Sequence, residues 1–383
     1  MPTGPEGDRA PARSARSGHP QVRALRTAVF EVPTDQPEGD GTLAWGSTTV
    51  VVVEADAEGH TGTGWTYCGP GAQVVIEAKL VSEVVGGNAF DVPALWESMV
   101  RACRNLGRPG VASCAISAVD IALWDLKARL LGMSLAELFG RARPEVSLYG
   151  SGGFTTYDDD ATVAQLEKWV SEWRMDKVKI KVGESWGTEP ERDHHRVGLA
   201  RKVIGEETEL FVDANGAYTR KQAIRMGRRF TQDQGVTWFE EPVSSDDLDG
   251  LREVRDNCTA DVAAGEYGYD QWYFAKMLYA QAVDCVQLDV TRCCGYTGWR
   301  QAAALVAAHN LQVSGHCAPN LHAHVAVSVP NLRHLEYFHD HHRIENMLFD
   351  GALSPVGGVL CPDVARLGHG LALRPGNEDL RRR

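Results

Sequence analysis

The chain has 383 residues, 39 basic and 51 acidic, for a formal charge of −12, and a surface of that sign repels phosphate, which argues against nucleic acid and anionic membrane and for a small-molecule partner. No apolar stretch approaches the roughly 20 residues that span a bilayer, and nine cysteines without a CxxC or regular framework fit a reducing cytoplasm better than a disulfide-stapled secreted fold. The length suits a barrel of about 250 residues plus a smaller second domain.

Residues 1–21 carry Pro, Gly, Ser and Arg without an apolar segment, so they read as a flexible tail and not a signal peptide. From Val22 to Ala57 the pattern is strand, polar turn, strand, with Thr48 to Glu54 the clearest β run, and a turn at Asp56-Ala57-Glu58-Gly59 precedes Thr61 to Thr66. Ala72 to Val85 and Val92 to Asn105 have helical periodicity, and Ala112 to Leu131 is a long apolar helix. Residues 22–143 are thus expected to form an α+β domain. After Arg143-Pro144, short β runs alternate with amphipathic helices: Glu145 to Gly150, Lys177 to Val182, Glu209 to Asp213, Thr237 to Glu240, Asp261 to Glu266, Cys285 to Asp289, Leu311 to His316 and Leu332 to Tyr337. Such alternation predicts an α/β fold with a (β/α)₈ barrel over 144–347. The loop-rich segment 348–383 is expected to pack back on the first domain.

Asp213, Glu240 and Glu266 fall 27 and then 26 residues apart, each closing a β run. One such acid is more often a helix cap or a surface ion pair, but three at converging strand ends make a cage for one hard divalent cation. Side chains alternate along a strand, so Lys179 and Lys181 share a face, while the apolar Val178, Ile180 and Val182 suit packing against outer helices. Lys177 has the same parity but belongs near the barrel's lower end. Two ammonium groups held close are expected to lower each other's pKa, making Lys181 a usable base. Asp289 and His316 end adjacent strands, where a carboxylate could orient an imidazole. Glu336 and Asn215 are placed to hydrogen-bond a substrate.

The set Lys179-x-Lys181, Asp213 with Asn215, Glu240-Glu241-Pro242, Gly265-Glu266, Asp289 with Gly295-Tyr296-Thr297-Gly298, His316 and Glu336 resembles the mandelate racemase subgroup of the enolase superfamily. Ala118 to Asp125 is similar to the last helix of that superfamily's capping domain. The resemblance implies Mg²⁺-assisted removal of the proton α to a carboxylate; enolase-superfamily sites are a standard example of this chemistry. It further implies Asp213, Glu240 and Glu266 as metal ligands, Lys181 as one base with Lys179 as its partner, and His316 with Asp289 as the base on the opposite face. Glu336 matches the residue that hydrogen-bonds the substrate carboxylate, and Asn215 and Ser151 match substrate or metal-shell contacts. Such relatives are commonly homo-oligomers.

Two bases flanking one carbon permit dehydration of a sugar acid to a 2-keto-3-deoxy acid, the favoured reading, or racemisation or epimerisation of a 2-hydroxy acid. A non-catalytic Mg²⁺-dependent sugar-acid binding protein is the rival of another class. Where the resembling family carries two glycines after the strand-six Asp, this chain has Cys293-Cys294-Gly295, and these thiols are expected to pack without a redox role. His322 and His324 suit capping or packing. The cluster His339 to His342 suits a surface loop, with His339 a possible substrate contact or stray-metal ligand, and Tyr67 lies in a loop expected to cover the barrel mouth.

Overall fold

The computed structural model describes residues 18–382. Residues 1–17 of the expected tail lie outside them, and residues 20 and 21 are already attached: Pro20 O accepts from Ala89 N at 2.8 Å and Gln21 bridges Asn88.

The first domain is an antiparallel meander of β1 (Ala24–Gly39), β2 (Ala44–Ala57) and β3 (His60–Thr66), followed by helices. Val50 to Val53 are all buried, so β2 shows no polar alternation; both of its faces are covered. One cover is the helix Val111–Leu130, whose small residues face β3. Gly64 makes that approach possible, because a Cβ there would sit 2.3 Å from Ala118 O. The same helix meets the barrel, where Asp120 accepts from Thr297 N at 2.9 Å and Oγ1 at 2.6 Å. With neighbours on all sides it is buried around most of its circumference, which explains why apolar residues are not confined to one stripe and why its buried Asp120 and Asp125 are hydrogen-bonded.

The second domain is a closed ring of eight parallel strands: β4 (Val146–Gly152), β5 (Lys177–Lys181), β6 (Glu209–Asp213), β7 (Val236–Glu240), β8 (Asp261–Ala264), β9 (Cys285–Leu288), β10 (Gln312–Gly315) and β11 (Leu332–Phe338), closed by β11 pairing β4. Strand parity divides two cores. Val178, Ile180, Leu210, Val212, Phe239, Val262 and Val286 join the main cluster outside the ring, whereas Tyr149, Phe211, Trp238, Ala263 and Cys285 fill its interior. Phe211 stacks on Trp238 at 5.4 Å, and His334 is wedged among Tyr149, Phe211 and Trp238. This aromatic layer plugs the barrel floor and leaves the strands' C-terminal ends for chemistry.

The C-terminal segment has two attachments. Val359–Leu360 pairs with β4, while Phe349 stacks on Trp65 of the first domain at 4.2 Å and His369 Nε2 donates to Thr63 O at 2.7 Å. Its end returns to β1, where Glu31 N donates to Leu380 O at 2.9 Å and Arg382 N donates to Val29 O at 2.8 Å.

Candidate active site

Parity sets the inner wall. Lys181, Asp213 and Glu240 are direct neighbours across β5, β6 and β7, so alternation on one strand carries to the next and brings all three side chains inward. Glu266 does not follow by register, because Glu240 pairs with Ala263 and β8 ends at Ala264. The chain turns at Gly265, at φ 138° with Gln287 O only 2.2 Å from where a Cβ would lie. Glycine alone fits this approach, and the turn carries Glu266 back over the barrel mouth. One carboxylate oxygen each from Asp213, Glu240 and Glu266 then lies within 4.8 Å of the others. An octahedral Mg²⁺ needs adjacent oxygens about 2.9 Å and opposite ones about 4.1 Å apart, given bonds of about 2.0–2.1 Å. The all-oxygen set fits such an ion. Glu266 Oε2 is buried without a hydrogen bond, 3.3 Å from His316 Nε2 but outside hydrogen-bond geometry.

Lys179 is fully buried and contacts Glu240, with Glu336 at 2.7 Å and Asp213 at 3.4 Å. Lys181 Nζ lies 2.5 Å from Asp213 Oδ2 and reaches the cleft. The expected lowering of both lysines is overturned. Burial does press Lys179 down, but Glu240 and Glu336 outweigh it and hold it well above its ordinary value. At Lys181 burial and Lys179 both lower the pKa, yet Asp213 and the other carboxylates win and raise it. Carboxylates surround the pair more closely than the sequence spacing suggests.

Across the ring, Asp289 and His316 each lie one residue beyond their strands. His316 N donates to Leu288 O at 2.9 Å, which seats its Nδ1 2.8 Å from Asp289 Oδ2. Burial opposes a charged imidazole, but Cys317, Glu266, Glu336 and Asp289 outweigh it and raise His316 well above its usual value. Glu336 is pushed up by burial and pulled below the usual carboxylate range by Lys179 and His316. Burial also raises Glu240, to about 8.

The cleft above these groups has a cavity volume of about 360 Å³. Its barrel side includes Lys181, Asn215, Glu266, Arg292, His316 and Glu336; its roof comes from the turn after β1, from β2 and from the loop after β3, with Asp40, Trp45, Ser47, Thr48, Thr49 and Tyr67. Asn215 holds φ at 45°, donates its N–H to Asp213 Oδ1 at 2.9 Å and leaves its buried Oδ1 without a partner. Tyr67 lines the roof, donates to Glu345 at 3.2 Å and stacks on His341 with ring centroids 3.4 Å apart. Ser151 is fully buried beneath the cleft and donates to Glu336 at 2.6 Å, so it steadies Glu336. His339 is also displaced from its expected place, since its Nε2 lies 3.0 Å from Asp35 and it is not part of the cleft lining. The cluster is no surface loop: it begins the helix His339–Leu348, and a helical turn presents His341 to the cleft.

Arg292 escaped the sequence reading. It reaches Glu266 Oε1 at 3.2 Å and Asp289 Oδ2 at 3.4 Å, tying a cage carboxylate to the imidazole's partner. Its place three residues after Asp289 was the available signal. Cys293 and Cys294 are buried, and Cys294 adopts φ 66°, the left-handed position where a glycine is at ease. His322 is buried in packing, its Nδ1 2.8 Å from Cys317 O; His324 is buried too.

Residues 25–140 match the mandelate racemase/muconate lactonizing enzyme N-terminal domain, and residues 161–377 match the enolase C-terminal domain-like family. The chain belongs to the mandelate racemase/muconate lactonizing enzyme family of the enolase superfamily. Its first domain is that family's cap, over a (β/α)₈ barrel. Among solved structures, a mandelate racemase/muconate lactonizing enzyme-like protein from Rubrobacter xylanophilus is 47% identical, with a TM-score of 0.91 over 95% of this chain and 100% of that one. A racemase from Streptomyces coelicolor with bound magnesium is 29% identical, with a TM-score of 0.87 over 94% of this chain and 98% of the other. Among curated relatives, the L-talarate/galactarate dehydratase of Salmonella typhimurium is 29% identical over 86% of this chain and 84% of its own length. The 3,6-anhydro-alpha-L-galactonate cycloisomerase of Streptomyces coelicolor is 30% identical over 92% of this chain and 97% of its own.

Proposed function

We propose that this chain is a Mg²⁺-dependent acid-sugar dehydratase. The observation that carries the reading is a cage of three carboxylates, Asp213, Glu240 and Glu266, with an ammonium and an imidazole on separate walls of one cleft. Lys181 is on β5 and His316 follows β10, three strands apart around the closed ring. When bound by the cage, Mg²⁺ supplies positive charge that offsets the negative charge gained by an ionised substrate. The proton α to a carboxylate is very weakly acidic, so that charge has to be offset by several kcal/mol.

Lys181 is the base in this reading. It reaches the cleft, whereas Lys179 is shut beneath the carboxylates and acts by positioning Glu240 and Glu336. Asp213, Glu240 and Glu266, which hold Lys181 charged, would have that negative charge offset by a cation in the cage; Lys181 Nζ, once neutral, takes the proton from C2, and the C–H electron pair passes into the substrate's carboxylate. Protonated His316 gives its Nε2 proton to the 3-hydroxyl; the C3–O bond breaks, water leaves and the electron pair forms the C2–C3 double bond. The resulting enol becomes the 2-keto-3-deoxy acid. Asp289 fixes the ring through Nδ1 and favours the charged imidazole needed for that donation. Asn215, with a free carbonyl oxygen at the cleft, and Tyr67 in the roof contact the substrate's hydroxyls.

In D₂O with Mg²⁺ and a library of sugar acids, the wild type is expected to exchange the α-proton and form a keto acid with at least one member. Lys181→Met and His316→Asn should keep the fold and lose turnover; normal turnover by either sinks the base assignment. Bases on separate walls also serve epimerisation, in which His316 returns a proton to C2. Exchange with inversion and no keto acid would decide for that reaction. Binding without any exchange would identify a non-catalytic sugar-acid binder.

A further inference from the structure

A second group of metal-type ligands sits at the seam between cap and barrel. Asp35 lies within the register break of β1 and Glu38 closes it, and His339 begins the helix after β11. One ligand atom from each lies within 4.8 Å of the others. Glu38 is completely buried; its Oε2 accepts from Trp45 Nε1 at 2.9 Å, and its Oε1 has no hydrogen-bond partner. An orphaned buried carboxylate oxygen is costly and calls for a cause.

Charge supplies one. Asp35, Asp340 and Arg343 are the charged groups acting on Glu38. Ionised together, Asp35, Glu38 and Asp340 would contribute three negative charges against one positive from Arg343; burial and then Asp340 push Glu38 up to about 8, so its carboxyl keeps a proton at neutral pH unless a cation offsets the excess. Arg343 lies 2.5 Å from Asp340 and 2.6 Å from Pro33 O, which engages its guanidinium on that side. A protonated His339 paired with Asp35 would satisfy those two residues but leave Glu38 Oε1 without a partner.

We propose that Asp35, Glu38 and His339 form a second divalent-cation site, separate from the barrel cage, that takes a borderline metal of the Zn²⁺ or Co²⁺ type. An imidazole nitrogen with two carboxylates suits such ions, whereas the all-oxygen cage suits Mg²⁺. Three protein ligands leave a fourth tetrahedral position for water, on the side of Asp35, whose side chain is 42% exposed. The ion joins residues 304 positions apart in the chain. Because Glu38 also holds Trp45, which lines the cleft, the second ion fixes the roof over the substrate.

The test is titration of the full-length protein with Zn²⁺ in a large excess of Mg²⁺, followed by competition with a chromophoric chelator. The wild type should bind one equivalent of Zn²⁺, and Co²⁺ in its place should show the visible absorption of a four-coordinate N/O site. Glu38→Gln and His339→Ala should each weaken Zn²⁺ at least tenfold. Asp213→Asn, which disables the cage, should leave that affinity unchanged, so failure of the cage reading would not mimic failure here. The proposal is overturned if the wild type binds no Zn²⁺ under these conditions, or if Asp213→Asn abolishes binding while Glu38→Gln and His339→Ala retain it.

Discussion

Lys179 offers the sharpest test of how the barrel mouth is held together. Lys179→Met removes the ammonium group shared by Glu240 and Glu336 and leaves two buried carboxylates facing each other, with Asp213 alongside. Breaking a buried ion pair by deleting one partner costs about 3–5 kcal/mol. At about 2 °C of Tm per kcal/mol for a long chain, the variant should melt about 6–10 °C below wild type when measured calorimetrically in EDTA. Adding Mg²⁺ should then reverse part of the loss. The variant has lost a positive charge beside the cage, so it should bind Mg²⁺ at least tenfold more tightly, a gain of about 1.4 kcal/mol, and its Tm should rise further than that of wild type at the same Mg²⁺ concentration. Equal Mg²⁺ shifts in the two proteins, or an EDTA Tm within about 2 °C of wild type, would refute the view that Lys179 compensates these carboxylates.

Three further outcomes are expected. Asp289→Asn keeps a hydrogen-bond partner for His316 but removes the negative charge, so kcat should fall about 10²–10⁴-fold with little change in KM; steady-state kinetics on the substrate found by the library screen would show it, and an unchanged kcat would place His316 outside the proton path. Gly265→Ala forces a Cβ to within 2.2 Å of Gln287 O and should shift Glu266, weakening Mg²⁺ at least tenfold by calorimetric titration, whereas wild-type affinity would mean the turn does not set the third oxygen. Burial pushes Glu345 from its usual 4.5 up to about 7, so the folded chain keeps a proton that the unfolded chain releases between those values. Stability from this group should therefore fall as pH rises through that window. Denaturant melts should show the wild-type advantage over Glu345→Gln growing from pH 7 to pH 5, and a pH-independent difference would contradict it.

The inward lysines and the first two acids were legible because strand parity is a local rule: apolar Val178, Ile180 and Val182 demanded an outer face, so Lys179 and Lys181 had to point in. Glu266 was read as the end of a strand, but it needs a glycine turn whose geometry depends on Gln287 on the next strand. The pKa direction of the lysines was misread for a related reason. Sequence shows Lys179 beside Lys181, while Glu240 and Glu336 approach only when the ring closes. His339 and His341 differ by two positions, and only the start of the helix after β11 decides which of them meets the cleft. The roof was the least readable part, since Trp45, Thr48 and Thr49 acquire a role from how the cap sits over the barrel and not from any pattern of their own.

The bonds from residues 380 and 382 to β1 tie the segment 348–383 to the roof at one remove, because β1 pairs with β2 and β2 carries Trp45, Thr48 and Thr49 over the cleft. Cap and barrel are thereby strapped by a segment that supplies none of the cleft lining. A change near residue 380 can therefore reach the substrate through two sheet pairings without touching either base.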